Sequence, residues 1–185
     1  MDANTHPHTD APTGTASGVV LRPAAPADLD TVAAIYAHYV LHTVTTFEET
    51  PRSAAEWEER RRELAEAGLP FLVAEVSGDV AGYAYATAWR PRPAYRFTVE
   101  NSIYLAPDAT GKGLGSALLG ALIEAAAGAG KRRMIAVVAD SDAAAASLAL
   151  HRRFGFTDAG RLTAVGHKHD RWIDTVLLEK ELGGG

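Results

Sequence analysis

The 185-residue chain carries a net charge of −5, 47% hydrophobic residues and no cysteine. Such a length suits one domain with a sizeable core. The acidic balance argues against nucleic acid as the main partner, since that calls for a basic face, and the absence of cysteine excludes disulfides, thiolate metal sites and a cysteine nucleophile.

No apolar run approaches the roughly 18 residues of a membrane span, so no membrane partner is expected. Residues 1–18 hold no bulky apolar side chain after Met1. They lack the basic start and apolar stretch of a signal peptide and read as a disordered tail, as expected of a cytoplasmic protein. His6 and His8 lie in that tail with no structure to fix a metal. Residues 19–182 form the expected domain, and Gly183–Gly185 the loose end.

Val19–Ala24 is a short strand candidate. Leu29, Val32, Ala33, Ile35, Tyr36 and Tyr39 then recur at helical spacing, with Asp28 as the expected cap. A second helix over 53–68 is capped by Ser53 and stopped by Gly68. Two strands follow around Ser77-Gly78-Asp79, a hairpin turn. Ala94–Pro107 reads as a third, long strand. A glycine turn then opens a helix from Gly113 to about Ala129, with Leu114, Leu118, Ala121, Leu122 and Ala125 on one face. Arg132–Ala139 is a short buried strand, and Asp142–Phe154 a helix ended by Gly155. Closing strands run from Phe156 to Leu182. Strands occur as neighbours before helices intervene, which predicts one α/β layer with a mixed sheet.

The turn Thr110-Gly111-Lys112-Gly113-Leu114-Gly115-Ser116 is built to meet an anion. A Walker loop fails, because Ala106 stands at its first glycine and Gly113 at its hydroxyl. The dinucleotide fingerprint fails at Ser116 or Leu118. Strand, glycine turn and helix remain, and a helix N-terminus favours a diphosphate without metal. The plainer reading is a turn that needs glycine for positive φ.

Other motifs decide between these readings. The loop resembles the [QR]-x-x-G-x-[GA] segment of the GCN5-related N-acetyltransferases (GNAT), with Thr110 at its first position. TVENSIYL, SLALHRRFGF, TVTTFEETP and the ending GHKHDRWIDTVLLEKEL together resemble the phosphinothricin and methionine sulfoximine N-acetyltransferase family, in order along nearly all of 19–182. That resemblance implies a GNAT fold: a mixed, mostly antiparallel sheet flanked by about four helices, with a splayed cofactor cleft. It implies acetyl-CoA as co-substrate, no metal, a small anionic amino-acid-like amine as acceptor, a homodimer, and herbicide resistance as a consequence. Thr110 departs from the glutamine or arginine of that loop motif, and two further departures stand out. Ala144 replaces an asparagine that meets the pantetheine in the family, and Asp170 replaces a glycine.

Acetyl transfer to an amine requires removal of a proton, polarisation of the thioester and a path for the leaving thiolate. Glu100 is the base candidate. Thr98, Glu100, Ser102 and Tyr104 share one face of the strand. An ordinary glutamate is too weak a base for an amine, so Glu100 acts through water or with a pKa raised by burial. The alternative is a strand residue facing solvent. His151, one turn after Ser147, is a second base or relay by resemblance, or else a helix-terminal histidine. Tyr104 orients the thioester or donates a proton, or else packs.

The backbone of Ile103 and Leu105 is expected to pair with the pantetheine. Gly111, Lys112, Gly113, Leu114, Gly115 and Ser116 are expected to cradle the pyrophosphate, with Ser147 near the cofactor. Arg90 and Arg92, on a proline-stiffened loop, form the expected clamp for an anionic acceptor. Phe47, Tyr95 and Lys168 complete the acceptor pocket by resemblance. His167, His169, Asp170 and Asp174 offer no convincing third ligand spacing, so no metal is expected. Rival readings are a non-catalytic acyl-CoA sensor, an acetyltransferase for a polyamine or protein N-terminus, and a nucleotide-binding switch.

Overall fold

A computed structural model of the chain describes residues 18–183. Most of the expected N-terminal tail, including His6 and His8, and the last two glycines lie outside these residues. The strands are β1 (Val19–Pro23), β2 (Phe71–Val76), β3 (Asp79–Ala88), β4 (Thr98–Leu105), β5 (Arg133–Ala139), β6 (Thr157–Lys168) and β7 (Arg171–Glu181). The helices are α1 (Leu29–His42), α2 (Ala54–Glu66), α3 (Leu114–Gly128) and α4 (Ala144–Arg153). One seven-stranded sheet runs in the order β1-β2-β3-β4-β5-β7-β6. Every neighbouring pair is antiparallel except β4 and β5. The mixed, mostly antiparallel sheet with four helices is the fold expected from the sequence.

The β4–β5 pair positions the site. Its parallel ladder covers Thr98↔Arg133, Val99↔Met134 and Glu100↔Ile135, then stops. Beyond Glu100 the two strands splay. The edge of β4 from Asn101 to Leu105 and that of β5 from Ala136 onward lack each other as partners. Backbone groups on such an edge need another hydrogen-bond partner.

Alternation on β3 and β4 builds the core beside this split. Trp57 of α2 is fully buried and meets Tyr36, Phe71, Tyr83 and Tyr85 at ring-centroid distances of 5.3–5.9 Å. Tyr104 of β4 closes the same cluster against Tyr36 at 5.2 Å. Each such ring removes a large apolar area from water. Gly82 of β3 admits Leu105, because a Cβ there would stand 2.5 Å from the leucine Cδ2.

Local chemistry sets most element ends. The Ser53 hydroxyl accepts from Glu56 N while Glu56 returns a carboxylate to Ser53 N, a full capping box for α2. Gly68, past the end of α2, and Gly155, past the end of α4, have φ +64° and +81°. Three expectations shift. Asp28 does not cap α1; its carboxylate takes Ala25 N and the Arg22 guanidinium at 2.7 Å, closing a 3-10 turn over Pro26–Asp28. The third strand starts only at Thr98, because Pro93–Tyr95 form another 3-10 turn. On α3 the fully buried set is Leu114, Leu118, Leu119, Leu122 and Ala126, with Ala121 and Ala125 half-buried at its margin.

The β6–β7 turn uses His169 and Asp170 at φ +51° and +56°. A two-residue hairpin of this twist needs positive φ at both places, and aspartate tolerates it where a β-branched residue would not. No helix among the described residues is long and apolar enough to cross a membrane.

Candidate active site

The split between β4 and β5 opens a cleft of about 1050 Å³. It runs from the α1–α2 loop (Thr45–Glu48 and Arg52), past Tyr85 and Glu100–Leu105, to the glycine turn and α4. Glu100 sits where the ladder ends. Burial raises its pKa, and the Arg90 guanidinium opposes that rise. A carboxyl so placed is a stronger base than an exposed one.

Asn101 follows Glu100 but belongs to the buried phase of the strand with Val99. Its Nδ2 donates to Ile135 O at 3.1 Å, bridging the gap where the ladder has stopped. Its Oδ1 lies 3.1 Å from His151 Nε2. The other ring nitrogen, Nδ1, lies 2.8 Å from Ser147 O. Both nitrogens of His151 are therefore engaged, and the residue is buried. Two oxygen partners favour the doubly protonated ring, while burial lowers its pKa, and the bond to Ser147 O opposes that. The sequence signal for Asn101 was available: a polar side chain on the apolar face of a strand.

At the cofactor end, Gly111 and Gly113 have φ +74° and +83°, and Gly113 precedes α3 directly. Gly111, Gly113, Gly115 and Ser116 line the cleft, as do Ile103, Leu105, Thr110, Ala144 and Ser147. Lys112 is exposed and not part of the lining. Leu114 buries its side chain in the core. Arg153 of α4 lines the cleft and donates to Ser116 Oγ. It brings a cation to the glycine turn from 37 residues away, a role the sequence reading assigned to Lys112.

The acceptor end differs most from expectation. Phe47 lines the cleft, and its ring fills the space a side chain at Gly166 would need. Arg90, Arg92 and Tyr95 are exposed and lie outside the lining. Arg90 stacks on Trp89 at 5.0 Å and reaches Glu100 only through its field. Lys168 is buried and donates to Thr46 O at 2.8 Å, so it ties down the loop that carries Phe47 rather than lining the cleft. Burial lowers its pKa. Tyr104 lines the cleft but is packed among Tyr36, Tyr39 and Tyr83, and burial pushes its phenol far up. Arg52, unmarked in the sequence reading, is the arginine that lines this end.

The donor set fits acetyl-CoA. Thr175 Oγ1 is buried, lines the cleft and has no hydrogen-bond partner among the described residues. It faces the same cleft as the unpaired edges of β4 and β5, which suits a ligand bearing amides. A helix N-terminus behind glycines of positive φ suits a diphosphate. No group of three or more His, Asp or Glu is gathered to hold a metal among the described residues.

Residues 33–156 match the acetyltransferase (GNAT) family. The chain belongs to the GNAT acetyltransferase family. It is 51% identical to the phosphinothricin N-acetyltransferase of Alcaligenes faecalis, over 85% of this chain and 80% of that one. It is 41% identical to an L-methionine sulfoximine/L-methionine sulfone acetyltransferase of Pseudomonas aeruginosa, over 88% and 94%. A GNAT phosphinothricin acetyltransferase from Sinorhizobium meliloti, solved with AcCoA, superposes with a TM-score of 0.86 at 47% identity, over 91% and 90%. The GNAT protein is thus an acetyl-CoA-dependent N-acetyltransferase, and the sensor and nucleotide-switch readings fall away.

Proposed function

We propose that this GNAT enzyme acetylates the amino group of a small anionic amino-acid-like acceptor such as phosphinothricin or methionine sulfoximine, with Glu100 as the base through water. The observation that carries the reading is the half-buried Glu100 carboxylate at the end of the β4–β5 ladder, in the cleft and with its pKa raised by burial. The relatives' named substrates supply the acceptor class.

Acetyl-CoA supplies the thioester carbon, to which the amine nitrogen bonds as the C–S bond breaks; the C–S electrons leave with CoA as its thiolate, and the nitrogen's second proton passes to that thiolate through solvent. Glu100 receives, through water, the proton the ammonium must lose. The β4 edge at Ile103 and Leu105 holds the pantetheine as an added strand, and an N–H there polarises the thioester oxygen. Gly111–Ser116 backbone groups hold the diphosphate, with Arg153 as the nearby cation. Tyr104 packs the wall that orients the thioester. His151, with both nitrogens engaged, holds β4 in place rather than relaying a proton. Arg90 acts on Glu100 electrostatically, and Arg92 and Tyr95 stay exposed on the same loop. We also propose a homodimer: Leu162, Val165 and Trp172 on the β6–β7 hairpin are 45%, 51% and 70% exposed, and light scattering after gel filtration tests it.

The test is thiol release from acetyl-CoA with phosphinothricin, methionine sulfoximine, free amino acids, a polyamine and an N-terminal peptide. Fast release with the first two is expected. Release only with the polyamine or peptide would keep the chemistry and overturn the acceptor.

A further inference from the structure

We propose that Arg52 is the specificity residue for the acceptor's side-chain head, and that it favours a head carrying a negatively charged oxyanion. The inference rests on the acceptor class proposed above. It begins with an inventory of charge. Among the described residues, the cleft is lined by two arginines, Arg52 and Arg153. Arg153 belongs to the glycine turn through Ser116. Arg52 is left at the opposite end, with Tyr36, Phe47, Glu48 and Tyr85.

Arg52 is well prepared for such a role. It stands between Pro51, whose ring fixes the backbone, and Ser53, held by the capping box of α2. Its guanidinium lies 6.0 Å over the Trp57 ring, and Trp57 is fully buried. The preceding loop is fixed by Lys168 to Thr46 O at 2.8 Å and by Tyr36 to Thr46 Oγ1 at 3.1 Å. One donor, Nη2, is used by Glu48 at 3.0 Å. Nε and Nη1 make no hydrogen bond among the described residues. Nη2 keeps its second hydrogen, which sits beside either the Nε–H or an Nη1 hydrogen, so one two-donor edge remains to match a two-oxygen anion.

The position separates the head from the α-carboxylate. Chemistry places the acceptor amine near Glu100, so its α-carboxylate lies one carbon away. The cation acting on Glu100 is Arg90. Arg52 acts instead on Tyr85, which Glu100 also reaches. Tyr85 lies opposite Ser102, two residues along the ladder from Glu100. Arg52 thus acts on Tyr85 and not on Glu100, which suits a head several bonds from the amine. Glu48 supplies a resting partner for Arg52 and offsets its charge when the head is neutral.

Phosphinothricin has a phosphinate head, and methionine sulfone a neutral one with the same α-amino acid end. The experiment compares kcat/KM for both, in wild type and Arg52→Gln, with Arg52→Lys as a second variant that keeps the charge. Losing one charged hydrogen-bonding partner lowers kcat/KM for phosphinothricin about 10- to 100-fold. The expected loss for methionine sulfone is at most about threefold, with KM for acetyl-CoA unchanged and Arg52→Lys intermediate for phosphinothricin only. Equal losses on both acceptors, or no loss on either, would overturn the role of Arg52. If Arg52→Gln fails to fold, Arg52→Lys decides by the same comparison. Inactivity of the wild type on both compounds would instead sink the acceptor class, and this inference with it.

Discussion

Replacing Asn101 by Ala probes how the cleft is held open. The side chain is 8% exposed and makes two contacts, Nδ2 to Ile135 O and Oδ1 to His151 Nε2, both at 3.1 Å. Alanine leaves a buried carbonyl and a buried ring nitrogen without partners. Each orphan costs about 1–3 kcal/mol, and some water entry from the cleft relieves part of it. A net loss of about 2–4 kcal/mol is expected, which for a chain of this size lowers Tm by roughly 5–15 °C. The same change frees β4 beyond Glu100 from β5 and α4, so KM for acetyl-CoA rises more than KM for the acceptor. Thermal melts by circular dichroism and initial rates at varied acetyl-CoA check both parts. Asn101→Asp is the control: it loses the donor to Ile135 O but offers His151 a carboxylate, which raises the depressed imidazole pKa, visible by NMR titration. A variant Asn101→Ala that melts within about 1 °C of wild type with unchanged KM for acetyl-CoA would refute the reasoning.

Two further variants test the charges around the cleft. Arg90 lowers the pKa of Glu100 against the effect of burial. Arg90→Gln therefore moves the acid limb of the kcat/KM–pH profile to higher pH; an unmoved limb would mean that Glu100 is not the titrating group. Lys168→Met removes the tie to Thr46 O and loosens the loop bearing Phe47. It raises acceptor KM roughly 3- to 30-fold, the scale of one buried hydrogen bond, and leaves acetyl-CoA KM unchanged. Because the Lys168 pKa is depressed, the unfolded chain binds its proton more tightly. Wild-type stability at this group thus rises with pH between the depressed value and the ordinary lysine value. Urea titrations at several alkaline pH values should show wild type gaining stability relative to the variant across that window.

What could be read from the sequence was mostly local. Ser53 and Glu56 announce the start of α2 at three-residue spacing, and the structure closes both halves of that box. Leu114, Leu118 and Leu122 mark the buried stripe of α3 by period alone. The alternation TVENSIYL puts Glu100 and Tyr104 on one face, and both line the cleft. Asp28 misled because its carboxylate finds a local amide and Arg22 before it can reach the first turn of α1. The long-range partners were not legible. Asn101 and His151 are 50 residues apart, Lys168 and Thr46 are 122 apart, and Arg153 meets Ser116 across 37. No spacing rule links such pairs; only the order of strands in the sheet does. Arg90 and Arg92 stood nearer to Glu100 in sequence than Arg52, yet the 3-10 turn at Pro93–Tyr95 keeps their loop outside the cleft, while the α1–α2 loop brings Arg52 into it.

The central claim, that Glu100 takes the acceptor's proton, is tested most directly by the pH profile of kcat/KM for wild type and Glu100→Gln with phosphinothricin. A wild-type acid limb above the ordinary glutamate range is predicted, because burial raises the Glu100 pKa. Glu100→Gln is predicted to lose about 10²- to 10⁴-fold, the usual worth of a positioned base, and to lose that limb. Full kcat/KM for Glu100→Gln across the same pH range would contradict the account.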